Sequence, residues 1–189
     1  MEAASMAVRL FIFLFIFVMP TGANADLNSN ICMRYAERYG AALKIPKYVL
    51  SAISSVESGR IKSKSGKYKS PWPWTINYGG HGEHFASRTA AIKRVKILLD
   101  NGVTSIDIGC MQVNLKYHPK AFKTLKDAFN PKTNIQYAGE FLISLHRQSG
   151  SWETAIAHYH SRTISRGTHY YHRVKDTISA IQQRKKKPT

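Results

Sequence analysis

The chain has 189 residues, of which 28 are Lys or Arg and 11 are Asp or Glu, for a formal net charge of +17. That length supports one sizeable core and argues against a multidomain assembly. So much positive charge calls for a polyanionic counterpart: nucleic acid if the chain stays in the cytosol, an anionic envelope if it leaves.

The first residues favour the envelope. Arg9 precedes the apolar run Leu10–Val18, and Pro20 and the small-residue site Ala23-Asn24-Ala25 follow. This is the layout of a secretory signal over residues 1–25, cut before Asp26. The run is about half the roughly 20 residues a spanning helix needs, so no integral membrane segment is expected after cleavage. Removing 1–25 takes away Glu2 and Arg9 together and leaves the charge unchanged. No nucleic-acid partner is expected.

Residues 26–182 read as one mainly helical domain. Ile31–Tyr39 predicts a first amphipathic helix stopped by Gly40, and Pro46 suits the first turn of a second, ended by Gly59. Residues 61–86 break the pattern: Ile61–Ser70 is Lys/Ser/Gly-rich and reads as a mobile loop. Trp72–Phe85, with Gly79-Gly80 at its middle, reads as a β-hairpin. Packing on the core is expected for at least one Trp of this stretch, while other aromatics are free to stack on a ligand. Ser87 predicts the cap of a third helix, with Ile92, Val95, Leu98 and Leu99 inward and Asn101-Gly102 at its end. Asn134 is expected to cap a fourth, carrying Ala138, Phe141, Leu142 and Leu145 on one side. Ser151 caps a fifth through Trp152, Ile156 and Tyr159, and a sixth runs from about Tyr170 through Val174, Ile178 and Ile181. Residues 183–189, with Arg184-Lys185-Lys186-Lys187, read as a frayed, solvated, disordered tail.

Two segments carry chemistry. In the second helix, Leu50, Ile53 and Glu57 share a face, which puts a carboxyl where an apolar residue belongs. Desolvation favours the neutral carboxyl and raises its pKa, as a general acid near neutral pH requires. The other segment is Asp107-Ile108-Gly109-Cys110-Met111-Gln112-Val113-Asn114. Asp107 reads as a cap for the turn bearing Met111 and Gln112, and Glu83 as a solvated hairpin residue, which leaves Glu57 without a convincing second carboxylate. Cys32 and Cys110 are an even pair in an exported chain and read as one disulfide; two buried, unbridged thiols are the other reading. On a helix His158 and His160 point about 200° apart, and His169 and His172 lack a third ligand, so neither metal nor cofactor is expected.

Glu57-Ser58 at a helix end, Gly109-Cys110-Met111-Gln112 downstream and the aromatic helix around Tyr159 together resemble the soluble lytic transglycosylase family of lysozyme-like enzymes, over about Ile31 to Val174. The resemblance implies an α+β lysozyme-like fold in which 61–86 is an insertion building one wall of a glycan groove. It implies a periplasmic or secreted enzyme acting on peptidoglycan glycan strands. Glu57 would cleave between MurNAc and GlcNAc, first as acid and then as base, leaving 1,6-anhydro ends. In this pattern Gln112 bonds an N-acetyl or hydroxyl group, Met111 packs under the sugar, and Gly109 permits close backbone approach. Ser58, Asn114, Tyr159, His160 and Tyr170 complete the substrate-binding set. His160 stands where the family has Asn; Tyr170 matches its late tyrosine, with Tyr171 as the fallback. By analogy with small enzymes of this type, an envelope-spanning secretion or conjugation apparatus is an expected partner. A water-using muramidase and a non-catalytic peptidoglycan binder are the rival readings.

Overall fold

The computed structural model describes residues 21–61 and 69–186; most of the expected signal segment, the 62–68 part of the Lys/Ser/Gly loop and the last three residues lie outside the described residues. The elements run α1 Thr21–Ala42, α2 Val49–Ser58, β1 Gly59–Ile61, β2 Lys69–Pro71, β3 Thr75–Tyr78, β4 His81–His84 and α3 Arg88–Asp100, then β5 Asp107–Ile108, β6 Val113–Asn114, α4 Leu125–Ala128, α5 Pro131–Ser149, α6 Trp152–His160 and α7 Ile164–Lys186. The result is the mainly helical, lysozyme-like fold with a small antiparallel sheet.

The short helix α2 is the hub. Val49, Leu50, Ala52 and Ile53 are buried on it, and so are Ser51, Ser54 and Ser55. A helix hydrophobic on one stripe would leave the other in water; here serines cover the remaining faces, small enough for close packing. Ser55 returns its hydroxyl to the Ser51 carbonyl at 2.9 Å, and Ser54 donates to the Cys110 carbonyl at 3.0 Å. Leu142, Ile156, Val174 and Ile181, from α5, α6 and α7, join α2 in this main core. A smaller core of Ile76, Val95, Leu98, Ile108 and Phe129 lies among the sheet, α3 and α4.

The four-stranded sheet has the order β4-β3-β5-β6, and its first pair is the expected hairpin, with Tyr78 opposite His81. Trp72 is buried and donates its indole N–H to the Phe85 carbonyl at 2.7 Å, so it packs inward as expected of one Trp. A separate β1–β2 pair, Gly59 opposite Pro71, closes the base of the Lys/Ser/Gly loop. Glu83 is tied to α3 by Arg94 at 3.0 Å and accepts from Tyr78 at 2.7 Å.

Ser87 and Ser151 are N-caps as expected, each accepting a backbone N–H three residues on. Other boundaries differ. The fourth expected helix starts earlier, at Pro131 with Asn130 as its cap, and Asn134 is fully buried inside it. Pro46 stays outside α2, because Tyr48 takes a left-handed conformation at φ 71 just before it. On α3 the inward residues are Ala91, Val95 and Leu98, while Leu99 is 38% exposed. The last helix begins at Ile164 rather than near Tyr170 and runs to Lys186, so the basic tail is helical well past 183, with Lys185 on Glu37 at 2.6 Å. Among the described residues no helix is long and apolar enough to cross a membrane.

Candidate active site

A groove of about 500 Å³ runs between the sheet and the α5–α6 pair. Asn77, Asp107 and Asn114 line it from β3, β5 and β6; Phe141, Tyr159 and His160 line it from the helices. Among the described residues of 61–86, Asn77 on β3 is the one that lines the groove. Glu57, from the last turn of α2, opens into this space together with Gln112.

Glu57 keeps part of its surface open to the groove, while protein encloses the rest of it. Burial pushes its pKa from the ordinary 4.5 up to about 7, the charge of Asp107 adds to the rise, and Tyr170 and Arg173 pull it back. Burial thus favours the protonated carboxyl far above the ordinary carboxylate range, as a general acid near neutral pH requires. The Tyr170 hydroxyl is buried without a settled hydrogen-bond partner, and Glu57 is the carboxyl it interacts with. Burial holds the phenol well above its usual pKa, so Tyr170 keeps its proton as a donor for the ionised Glu57.

The Gly109–Gln112 turn beside Glu57 is clamped from five elements. Asn134 of α5 donates to the Ile108 and Ala128 carbonyls at 2.9 and 3.0 Å and accepts from the Met111 N–H at 2.9 Å. Ser54 and Ser58 of α2 both donate to the Cys110 carbonyl, at 3.0 and 2.8 Å. Tyr159 of α6 donates to the Met111 carbonyl at 2.9 Å. From α1, Cys32 is joined to Cys110 by the expected disulfide. From β3, the Thr75 carbonyl accepts from the Gln112 amide at 3.1 Å. Gln112 itself is held at φ 46, a conformation that costs free energy for a non-glycine residue and persists only where its surroundings over-determine it. Its Nε2 is taken up by Thr75 and Gly109, so its amide oxygen remains to meet a ligand.

Several of the residues expected to contact substrate lie beneath the groove surface rather than on it. Ser58 is buried and bonded to Ser54, Cys110 and the Trp72 N–H, so it anchors the turn. Met111 is fully buried among core residues. The close approach at Gly109 is to Asn134, whose Nδ2 would lie 2.6 Å from an added Cβ. Tyr170 is 2% exposed and acts on Glu57 from within. Gln112, Asn114, Tyr159 and His160 do line the groove.

Two residues expected as caps have other places in the structure. Asp107 is a strand residue, not a cap: it lines the groove, accepts from Asn114 Nδ2 at 2.8 Å, and burial raises its pKa. Asn134 bridges three buried backbone groups, the Ile108 and Ala128 carbonyls and the Met111 N–H. Asn134→Ala should cost about 3 kcal/mol, because it strands buried donors and acceptors at the turn. Urea unfolding with an unchanged slope and a lowered midpoint is the expected measurement.

The family model described as Transglycosylase SLT domain matches residues 34–169. No curated protein and no solved structure matches the chain.

Proposed function

Because the chain belongs to the transglycosylase SLT family, whose members share the lysozyme-like fold and act on peptidoglycan, we propose that it is a lytic transglycosylase that opens the MurNAc–GlcNAc bond with Glu57 as its single acid/base. The observation that carries the reading is the Glu57 carboxyl, set in a glycan-sized groove with a pKa of about 7.

The protonated carboxyl gives its proton to the oxygen linking the two sugars, and the C1–O bond breaks. The departing GlcNAc keeps that proton as a hydroxyl. The MurNAc N-acetyl oxygen stabilises the electron-poor C1, a substrate-assisted route. Glu57, now ionised and facing Tyr170, takes the proton of the same sugar's C6 hydroxyl, and O6 closes onto C1. No water enters the balance, and Glu57 ends as it began. The attacking oxygen belongs to the same molecule, so the protein has only to hold the ring in a reactive geometry. Gln112, Asn114 and His160, on the walls, are the polar groups that hold it.

Asp107 favours one second reading. Hydrolytic glycosidases add a second carboxylate as base or nucleophile, and Asp107 stands in the same groove. Its hydrogen bond from Asn114, however, ties it to the sheet. Mass spectrometry of digested wall separates the two, since anhydro and reducing muropeptides differ by one water. Anhydro ends are expected from wild type and from Asp107→Asn alike. Reducing ends that vanish in Asp107→Asn would move the reading to a muramidase.

The secretory pattern of residues 1–25 suits work in the periplasm or outside the cell, where this substrate lies.

A further inference from the structure

A second recess, of about 280 Å³, opens where the C-terminal half of α1, the turn 43–48 and the end of α7 meet, and it shares no lining residue with the groove. Ala36, Gly40, Ile45 and Leu50 give it a buried apolar lining, and Tyr48, Lys47, Lys185 and Glu37 stand at its mouth. Both ammonium groups gather on the Tyr48 ring, Lys47 Nζ at 5.1 Å and Lys185 Nζ at 5.4 Å from its centroid. Lys185 is held there by Glu37 at 2.6 Å. Tyr48 itself takes φ 71 and makes no side-chain cap for α2. A bulky residue rarely adopts this conformation, and glycine would form the same turn without strain. The ring at the mouth, and not the turn, therefore accounts for a tyrosine here. Strain of this kind collects at ligand clamps. Among the described residues the other non-glycine residues with positive φ are Gln112, on the groove, and Lys44, which ends α1.

We infer that this recess seats a short acidic and apolar segment of another protein, with one apolar side chain inside and a neighbouring Asp or Glu on the Lys47 and Lys185 ammonium groups. Size argues for a side chain: the volume falls just short of the roughly 300 Å³ at which small-molecule sites begin. A flat lipid surface cannot enter a recess, whereas a protruding side chain can. The charge of the partner follows from the mouth, where two ammonium groups stand against one carboxylate. Tyr48 supplies a rigid aromatic edge of the kind on which binding energy concentrates at interfaces. Leu50 in the recess and Glu57 in the groove are both on α2, seven residues or about 10 Å apart along the helix. A partner docked here leaves the groove open to its own substrate, and the inference stands whether or not the groove cleaves glycan.

The probe is the capped peptide acetyl-Glu-Glu-Leu-Leu-Glu-Glu-amide, titrated into isotope-labelled protein and followed by backbone amide shifts. Signals of Gly40, Ile45 and Tyr48 should move and those of Gln112 and Tyr159 should stay. Saturation is expected with a Kd on the order of 1 mM, the scale of one buried side chain and one surface ion pair. Tyr48→Gly suits φ 71 and so keeps the fold, which its own amide spectrum reports; it should weaken binding about tenfold or more. Lys47→Gln/Lys185→Gln should weaken binding about fivefold, as should Gln in place of every Glu of the probe. Lys93→Gln/Lys96→Gln, which removes as much charge from the exposed side of α3, should leave it unchanged. A probe with Ser in place of both Leu should not bind. Binding that survives Tyr48→Gly, an equal fall in both lysine pairs, or shifts confined to the groove would each overturn the inference. So would a wild type that shows no shift at about 10 mM probe. Retention on phosphatidylglycerol vesicles that needs Lys47 and Lys185, without peptide binding, would make the recess part of a membrane-facing surface and overturn it as well.

Discussion

Glu57→Gln should lower the release of muropeptides by about a thousandfold or more, since one side chain supplies both proton transfers and general acid–base catalysis alone is worth about 10² to 10⁴. The same substitution should make the protein more stable at alkaline pH. With a folded pKa of about 7 against an ordinary 4.5, the folded state holds on to a proton that the unfolded state has lost. Stability therefore falls as pH rises from about 4.5 to 7, by on the order of 3 kcal/mol in all, and Gln is exempt from that loss. Below about pH 4.5 both forms of Glu57 are neutral and the two proteins should unfold alike. Above pH 7 the Gln variant should unfold at the higher urea concentration. Activity of the wild type should decline above pH 7 as the acid form disappears. A Gln variant that still releases muropeptides, or one whose stability tracks wild type at every pH, would remove Glu57 from the role given to it. If wild type itself releases none while wall binding survives in the variant, the fold is a binder and not an enzyme.

How far the chain could be read beforehand follows from which signals are local. The burial of Glu57 was legible because a carboxyl on an apolar helix face is a contradiction within ten residues of sequence. The caps at Ser87 and Ser151 and the Gly79-Gly80 hairpin are local in the same way. Asn134 was misread because an Asn at the head of an apolar run is a good cap signal. Asn130 before Pro131 gives the same signal four residues earlier, and only the packed turn decides which of the two is free to cap. Ser58 and Met111 were assigned to the sugar by their place in a motif. Successive residues of a helix or tight turn point in different directions, so a motif's neighbours often face the core. Asp107 became a groove residue through pairing with Asn114 across two-residue strands, too short to leave any alternation to read. His160 in the place of the family's Asn acquires a meaning only beside Tyr170, ten residues away on another helix.

Cys32→Ala/Cys110→Ala should destabilise the protein by about 4 kcal/mol. The bridge closes a loop of 78 residues, and at that length the chain-entropy model gives about 4 to 5 kcal/mol. Alanine is the apt replacement, because both sulfurs are fully buried and a serine hydroxyl there would be left without a partner. For a domain of this size the loss corresponds to a fall in Tm of about 10 °C, measurable by calorimetry. The chemistry should respond differently. The turn that carries Gln112 keeps its bonds from Asn134, Ser54, Ser58 and Tyr159 when the bridge is gone, and none of the groups that set the Glu57 pKa is a cysteine. At a temperature where the variant remains folded, its pH–rate profile should therefore superimpose on that of wild type. A shifted profile would mean that the bridge does more than restrain the unfolded chain: it would be holding the turn against Glu57, and the four hydrogen bonds would be too weak to keep it there alone.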